Sequence, residues 1–410
     1  MRRSLNTQIF LGAIGGIALG IWLNTLGAGH SFSKSALFAC DIVGGIFINA
    51  LKMILIPLVF TSIAAGIGNL KSHAQMGRVW KITLIYFLVS PAIAVLLGMF
   101  LVNAVKPGQG LDVALFQESM AAFSAARMTL PEFFQTFLSG LFMNPFAALA
   151  QGQVLPTVVF AIVLGIALVI SGEKTRGIQK LLNEFFDVVM MLVHWVMYVG
   201  PLGVMALLTK LVATQNPSLF TALGKFIGVV IFGTLFHGIV ILPLGLYIFT
   251  RVTPLVYFRG MREALITALA TSSSSATLPV TLKCTQENLK VDKNIVGFVA
   301  PLGATLNMDG TALYEAVAAV FVANLVGIDL NLFQQAVVFL TAILASIGAP
   351  GIPSAGMVTM VMVLQSVGLP IEAIAILIPI DRPLDAIRTA VNVEGDAVCS
   401  LIVQRYVTPA

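Results

Sequence analysis

Long apolar runs recur along the chain, and most polar and charged residues lie in the short stretches between them. Residues 9–26, 82–101, 157–170, 185–208 and 226–249 are examples. About 20 helical residues cross a hydrocarbon core about 30 Å thick, and a helix satisfies its backbone polar groups internally. The runs therefore predict an all-α polytopic membrane protein.

The composition supports this prediction and excludes a soluble domain. Of the 410 residues, 58% are hydrophobic and 10% charged, and the mean hydropathy is +0.98, whereas about a quarter of the residues of a soluble domain are charged. The isoelectric point near 9.2 would suit nucleic acid, but Lys and Arg lie between the apolar runs, so we expect no nucleic-acid partner. Cys40, Cys284 and Cys399 show no disulfide or metal-ligand spacing, and we expect no cofactor.

Positive charges predict the topology, because cytoplasmic loops carry an excess of Lys and Arg. The loops richest in these residues contain Arg2 and Arg3; Lys71, Arg78 and Lys81; Lys174, Arg176 and Lys180; and Arg251, Arg259 and Arg262. We expect these loops and both termini to be cytoplasmic and the protein to lie in the cytoplasmic membrane. Residues 264–282 break the alternation, because Lys283, Lys290 and Lys293 follow them. A re-entrant hairpin that enters and leaves on the cytoplasmic side restores it.

Two polar or broken segments have the composition of such hairpins. Residues 271–279 include four consecutive serines, and residues 348–353 contain two glycines and two prolines, which break a helix. Non-helical backbone at membrane depth occurs only where it is buried in protein or lines a cavity. The hairpins enter from opposite sides, as in an inverted repeat, and paired broken segments of this kind point to a transport site.

The two spans beside these hairpins carry ionisable residues. On an unbroken helix Asn307 and Asp309 point about 200° apart, so we predict that the helix unwinds at Gly310 and lets both surround one ion. In the last span one arc of about 100° holds most of the polar residues, whereas Glu394 falls on the opposite face and is left out of the site. The residues in that arc are Asp381, Asp385, Arg388, Thr389, Asn392 and Asp396.

The charges of this region do not balance. Five carboxylates, two arginines and the cost of about 2.5–3.5 kcal/mol for each charge at the bilayer centre indicate a functional site. The carboxylates are Asp309, Glu315, Asp381, Asp385 and Asp396, and the arginines are Arg382 and Arg388. An anionic substrate enlarges the deficit, so we predict coupling to Na⁺ or protons. For an isolated pair, mutual neutralisation within the helix explains the charges equally well.

Three motifs together resemble the dicarboxylate/amino acid:cation symporter family, which includes the glutamate transporters, and the match spans essentially the whole chain. They are the serine-rich hairpin that ends in Thr277, Leu278 and Pro279, the run from Asn307 to Thr311, and the stripe from Asp385 to Asp396. The resemblance implies eight transmembrane helices and two re-entrant hairpins with inverted repeats, a homotrimer in lipid, and an elevator motion. It also implies a scaffold of residues 1–70 and 106–215 and a transport domain of residues 78–105 and 218–410.

The resemblance implies a substrate site as well. Arg388 corresponds to the residue that binds the side-chain carboxylate of the substrate, and Asp385 to the residue that receives the α-amino group. The remaining substrate residues are Ser274, Thr311, Ile352, Thr389 and Asn392. Dicarboxylate carriers of the family lack the acid and neutral amino acid carriers lack the arginine, so we predict an acidic amino acid, aspartate or glutamate. A C4-dicarboxylate or neutral amino acid symporter is the alternative within the family.

Cation sites follow from the same resemblance. One sodium site corresponds to Gly303, Asn307, Asn392 and Asp396; a second to Thr305, Met308, Ser346 and Ile347; and a third to Tyr86, Ser90, Asn307 and Asp309. Val89 replaces a hydroxyl ligand of the third site, which weakens that site. Glu315 stands where proton-coupled members have a glutamate, so proton coupling is predicted, and counter-transport of K⁺ stays open.

The sequence leaves several further alternatives. Many members carry another arginine at the position of Ser272 or Ala386, and we predict that Arg382, one turn before Ala386, reaches the same space. His194 and His237, both in apolar spans, are interpreted as packing residues with satisfied polar groups, in preference to proton relays. An ion channel is the rival function. An intramembrane hydrolase is disfavoured, because no histidine in the hairpins or final spans could activate a serine, so we predict that the protein is not an enzyme.

Overall fold

The computed structural model describes residues 5–27, 30–68, 77–110, 142–214, 218–349, 351 and 355–407. Every regular element within these ranges is a helix, which confirms the predicted all-α class. The site residue Ile352 and residues 111–141 of the predicted scaffold lie outside the described residues.

The helices of the first half of the chain are long and apolar. They are α1 (Leu5–Leu26), α2 (Ser31–Gly68), α3 (Gly77–Val105), the short α4 (Pro145–Ala150), α5 (Val154–Ser171) and α6 (Arg176–Thr214), with a 3₁₀ turn (Gly172–Thr175) between the last two. Asn144 caps α4, because its side-chain oxygen accepts hydrogen bonds from the N–H groups of Phe146 and Ala147.

The helices of the second half are shorter and more often interrupted. They are α7 (Ser218–Phe236), α8 (Leu242–Thr250), α9 (Pro254–Thr271), α10 (Ser274–Lys283), α11 (Lys293–Leu306), α12 (Asp309–Leu325), α13 (Leu332–Gly348), α14 (Ala355–Ser366) and α15 (Ile374–Val407). A π-helical turn, His237–Ile241, joins α7 to α8, and a second one, Cys284–Asn288, follows α10.

Three helical segments are long and apolar enough to cross a membrane, by length and composition. They are Gly77–Val105, Pro156–Val193 and Ser218–Thr250. Large side chains such as Phe100, Ile170 and Phe232 lie exposed on them. Apolar side chains turned outward are what a lipid-facing surface requires.

The helices pack in two groups. In the first, α1 and α2 both run along α6, and α2 also contacts α5. In the second, α3 and α7 pack on α12, α9 and α11 pack on α15, and α13 packs on α14. The first group falls within the segments predicted as scaffold and the second within those predicted as transport domain, although the division into two moving domains stays a prediction.

The serine-rich segment forms a helix–turn–helix, as expected for the first hairpin. α9 ends at Thr271, and the next residue, Ser272, has a φ of 50°, which lies in the left-handed region and turns the chain. Ser273 then caps α10, since its side-chain oxygen accepts a hydrogen bond of 3.1 Å from the N–H of Ala276. The turn therefore follows from local serine chemistry.

The helix break near Asp309 lies two to three residues earlier than the sequence suggested. Asn307 and Met308 have extended or irregular backbone, with φ and ψ of −97° and 92° for Asn307, while Gly310 lies inside α12. The prediction of unwinding at Gly310 was therefore wrong in position. Gly310 is needed for close packing instead, because an added Cβ would lie 2.8 Å from both the Cα and the carbonyl oxygen of Arg388.

Candidate functional site

The predicted polar residues converge where α15 passes the break between α11 and α12. All of them have 5% or less of their surface exposed. They are Asn307, Asp309, Thr311, Glu315, Asp381, Asp385, Arg388, Thr389, Asn392 and Asp396. This many buried polar groups in an apolar protein is costly, and such clusters mark substrate or ion sites.

Arg388 lies at the centre of the cluster and is fully buried. Its Nη2 donates hydrogen bonds to Asp381 Oδ1 at 2.6 Å and to Asp385 Oδ1 at 3.0 Å. Its guanidinium carbon lies 3.8 Å from the centroid of the Tyr314 ring, a cation–π distance. Nε and Nη1, on two different edges of the guanidinium, have no partner among the described residues and are available as donors to a carboxylate.

Arg382 reaches the same cluster from one side. Its Nη1 lies 3.6 Å from Asp385 Oδ2, and its side chain is partly exposed. Asp385 is thus flanked by Arg382 and Arg388. The predicted placement of Arg382 near the site is confirmed, while its function stays a prediction.

The two interrupted segments meet over the helix break. Ser273 Oγ donates a hydrogen bond of 2.7 Å to the carbonyl oxygen of Gly351, and the N–H of Ser275 donates another of 3.0 Å to the same oxygen. Ser274, between them, is buried. An added Cβ at Gly351 would overlap the carbonyl oxygen of Ala304, so only glycine fits there. The tips of the two segments therefore close the cluster on one side.

Asn392 holds the break between α11 and α12 in place. Its Oδ1 accepts a hydrogen bond of 2.8 Å from the N–H of Gly310. Its Nδ2 donates to Met308 Sδ and to Thr311 Oγ1, both at 3.3 Å. The side chain thus supplies partners for backbone and side-chain groups that the broken helix leaves unpaired.

The residues of the first predicted sodium site lie together. Asn307 Nδ2 donates to Asp396 Oδ1 at 3.2 Å and to the carbonyl oxygen of Asn392 at 3.3 Å. An added Cβ at Gly303 would overlap the Asp396 carboxylate, so the glycine allows that carboxylate to approach the backbone. Carboxylate, amide and carbonyl oxygens gathered at one point are the donors that a hard cation requires.

The second predicted sodium site is built from neighbouring helices. Thr305 Oγ1 donates a hydrogen bond of 2.9 Å to the carbonyl oxygen of Leu302, and Ser346 Oγ donates one of 2.8 Å to that of Ile343. Ile347 follows Ser346 near the end of α13 and is half-buried, and α13 packs on α11. Met308 lies on the side of Asn392, within the helix break.

The third predicted sodium site contains a histidine that the sequence reading missed. Ser90 Oγ donates to Asp309 Oδ2, and His237 Nε2 lies 2.9 Å from the same oxygen. His237 is buried and has a polar partner, as expected of a packing residue with its polar group satisfied. The sequence did not indicate that this partner is Asp309 of the predicted cation site; the available signal was that a histidine in an apolar span requires a polar partner. The Tyr86 hydroxyl is buried, while Val89 is half exposed.

Glu394 is buried although it was left out of the predicted site. It was assigned to the face of α15 opposite the site, yet only 4% of its surface is exposed. The Oε2 atom of Glu394 would lie 3.0 Å from a Cβ added at Gly238. The carbonyl oxygen of Glu394 accepts a hydrogen bond of 2.7 Å from the Tyr257 hydroxyl. Residues 391–400 are all buried, so this part of α15 has no solvent-facing or lipid-facing side.

Glu315 is fully buried on α12 and contacts α14. Its Oε1 accepts a hydrogen bond from Thr359 Oγ1, and its Oε2 has no partner among the residues described. The carboxyl group therefore joins the span to the helix that follows the second broken segment. His194, the other histidine of the apolar spans, has a side chain outside the described set.

The ion pairs of the cluster show which buried carboxylates lack an arginine or lysine partner. Both arginines of the cluster contact Asp381 or Asp385. Within the described structure, the one ionisable group of basic type that contacts Asp309 is His237. The carboxyl groups of Asp396 and Glu315 accept hydrogen bonds from neutral side chains. Uncompensated buried carboxylates are unfavourable. A cation or a proton at Asp309, Asp396 or Glu315 would remove this cost.

Comparison with known proteins gives a consistent picture over almost the whole chain. Residues 5–406 match the sodium:dicarboxylate symporter family. Human excitatory amino acid transporter 3 is 36% identical over 98% of this chain and 86% of its own length. An excitatory amino acid transporter of Caenorhabditis elegans is 34% identical over 96% of this chain and 86% of its own length. Human neutral amino acid transporter B(0) is 34% identical over 99% of this chain and 82% of its own length.

Proposed function

The chain belongs to the sodium:dicarboxylate symporter family, and on that premise we propose that it takes up aspartate or glutamate by symport with Na⁺, with protons as further coupling ions. The family membership agrees with the three motifs in the sequence. Its relatives include carriers named for excitatory and for neutral amino acids, so the choice of an acidic substrate rests on the site.

The observation that carries the proposal is the pairing of Arg388 with Asp385. A buried guanidinium with two available donors matches a carboxylate, and the buried carboxylate 3.0 Å from it matches an ammonium group. An acidic amino acid has both groups, a dicarboxylate lacks the ammonium, and a neutral amino acid lacks the second carboxylate. We assign the remaining atoms of the substrate to Ser274, Thr311, Thr389 and Asn392, all of which are buried in the cluster.

The leftover carboxylates support coupling to sodium. Asn307 and Asp396 supply oxygens for one Na⁺, and Met308 with Thr305 and the end of α13 for another. Asp309 with Ser90 is the third candidate, in which His237 already occupies one carboxylate oxygen. Each bound Na⁺ cancels one negative charge, so substrate binding and sodium binding reinforce each other.

Proton coupling is assigned to Glu315. A protonated carboxyl is neutral and is tolerated at a fully buried position, whereas a carboxylate there lacks a cationic partner among the described contacts. Since Thr359 belongs to α14, the state of Glu315 is communicated to the second broken segment. Counter-transport of K⁺ is an additional possibility that the transport assay includes.

The remaining family properties complete the proposal. The first packing group serves as the scaffold of a homotrimer in the cytoplasmic membrane, with both termini cytoplasmic. The second group moves across the membrane as a transport domain, an elevator motion that exposes the site to each side in turn. The contact between Ser273 and Gly351, which closes the cluster, supports such a motion because the closed site moves with its contents.

Transport into liposomes tests the proposal. Purified protein is reconstituted, and uptake of radiolabelled aspartate, glutamate, succinate and serine is measured with gradients of Na⁺, H⁺ or K⁺ imposed one at a time. We expect saturable uptake of aspartate or glutamate that follows the inward sodium gradient. Preference for succinate or serine contradicts the assignment of the substrate, uptake that ignores sodium contradicts the assignment of the ion, and non-saturable flux of ions without substrate favours the channel.

A further inference from the structure

A polar cavity of about 150 Å³ lies beyond the end of α3, outside the cluster described above. α3 and α12 end beside this cavity, and α13 begins there. Lys106, in its wall, is about 24 Å along the helix from Ser90 of the third predicted sodium site. In the predicted topology this end of α3 faces the outer side of the membrane. The residues that matter for its chemistry are Asn103, Lys106, Asn324, Asp329 and Gln335.

The walls of the cavity are held by contacts between helices. Asn103 and Gln335 exchange side-chain hydrogen bonds of 2.9 and 3.4 Å, which join α3 to α13. Asn324 Nδ2 donates a hydrogen bond of 3.2 Å to the carbonyl oxygen of Pro107. Gly108, with a φ of 84°, packs so closely that an added Cβ would lie 2.8 Å from a side chain of α12. A cavity with fixed walls binds a ligand at a lower entropic cost.

Two opposite charges line this cavity without meeting. Among the described residues, the side chains of Lys106 and Asp329 make no ion pair and no hydrogen bond, either with each other or with a third residue. Each charge alone is explained by a helix end, because Lys106 follows the last residue of α3 and Asp329 precedes the start of α13. Helix ends do not explain why both charges line one small cavity and stay apart.

A small molecule that carries both charges matches this arrangement. An apolar cavity of about 150 Å³ accommodates benzene, which has as many non-hydrogen atoms as alanine. In a free amino acid the ammonium and carboxylate groups are attached to the same carbon, so one molecule can contact both Lys106 and Asp329. A metal cation alone would be repelled by Lys106, and an anion alone by Asp329. The side-chain oxygen of Asn324 is a further acceptor for the ammonium group, because only its Nδ2 is used within the described structure.

We propose that this cavity is a second binding site, which takes a small zwitterionic amino acid and is separate from the transport site. Lys106 binds the carboxylate of this ligand, and Asp329 with Asn324 binds its ammonium group. The ligand then bridges the end of α3 and the loop before α13, the helix that leads to Gly351. The inference goes beyond the proposed function and does not depend on it.

Binding of L-alanine to the purified full-length protein tests the proposal. Saturation-transfer NMR is recorded in sodium-free potassium buffer, on the unaltered protein and on Asp385→Asn, in which the transport site lacks its partner for an ammonium group. We expect alanine to bind both proteins with a Kd of about 1 mM. Propionate and ethylamine carry one of the two charges each, and they should bind at least about fivefold more weakly, the value of one ion pair at a partly open site.

Substitutions in the cavity identify the residues. Lys106→Met and Asp329→Asn should each raise the Kd for alanine at least about fivefold. Lys34→Met, which removes an exposed lysine of α2, is the matched control and should leave the Kd unchanged. The double variant Lys106→Asp with Asp329→Lys exchanges the two charges and should bind alanine more tightly than either single variant.

Three results would overturn the inference. They are an unchanged Kd in both single variants, equally tight binding of propionate or ethylamine, and loss of alanine binding in Asp385→Asn, which would place the alanine in the transport site. If a single variant melts at a much lower temperature than the unaltered protein, the double variant decides: recovered binding supports the inference and absent binding overturns it. Absence of aspartate uptake by the unaltered protein refutes the proposed function alone.

Discussion

Replacement of Gly310 by alanine tests the packing of the two spans that build the site. Gly310 is the second residue of α12 and lies directly against α15. An added Cβ would be 2.8 Å from the Cα and the carbonyl oxygen of Arg388 and 3.0 Å from its Cβ. Two of these three atoms belong to the backbone, so a side-chain rotation cannot remove the overlap.

The size of the effect follows from these distances. Carbon atoms pack at about 3.5–4.0 Å, so the two helices have to separate by about 0.7–1.2 Å. Overpacking of this kind costs about 1–3 kcal/mol. The same displacement stretches the 2.8 Å hydrogen bond from the N–H of Gly310 to Asn392. Since an error of about 1 Å in a positioned group can lower a rate about a hundredfold, we expect Gly310→Ala to reduce aspartate uptake by at least about tenfold.

Uptake into liposomes and the apparent melting temperature of the purified protein are the measurements. Gly297→Ala is the matched control, because Gly297 lies on α11 of the same span and an added Cβ there meets nothing within 4 Å. Alanine is a better helix former than glycine by about 1 kcal/mol, so the control should keep its uptake and melt at the same or a higher temperature. If Gly310→Ala behaves like the control, the contact between α12 and α15 is not as tight as argued here.

Three further predictions concern the ions and the substrate. Gly303→Ala places a Cβ on the Asp396 carboxylate, so the Na⁺ concentration for half-maximal uptake should rise, and an unchanged sodium dependence would place the cation elsewhere. Glu315→Gln keeps an acceptor for Thr359 but cannot release a proton, so uptake should lose its response to an imposed pH gradient while the sodium response persists; a retained pH response would exclude Glu315. Arg388→Ser removes the guanidinium, so the KM for aspartate should rise by about two orders of magnitude or more, with serine uptake measured in parallel, and equal aspartate uptake would refute the role of Arg388.

Much of this protein is determined by local features of its sequence. The apolar runs specify helices because lipid leaves the backbone no other partner, and the serine-rich segment specifies a turn because Ser273 supplies a helix cap. The stripe that contains Asp385, Arg388 and Asn392 was visible from helical spacing alone. These features depend on neighbours within a few residues, so they can be read without the fold.

The position of the helix break was decided by tertiary contacts. Glycine at position 310 suggested the break, yet the chain departs from helical geometry at Asn307 and Met308. There Asn392, on another helix, accepts a hydrogen bond from the N–H of Gly310 and donates one to the sulfur of Met308. Gly310 is required instead by the approach of α15. A flexible residue permits a break, but partners distant in the chain decide where it forms.

The roles of His237 and Glu394 also depended on the fold. Helical-wheel reasoning assumes that one face of a helix meets the protein and another the solvent or lipid, and residues 391–400 meet protein on all sides. His237 contacts Asp309 only because α7 and its π-helical extension pack against α12 and α15. The sequence determined which residues carry charge in the membrane, while the tertiary structure decided which of them meet, because each pairing joins helices far apart in the chain.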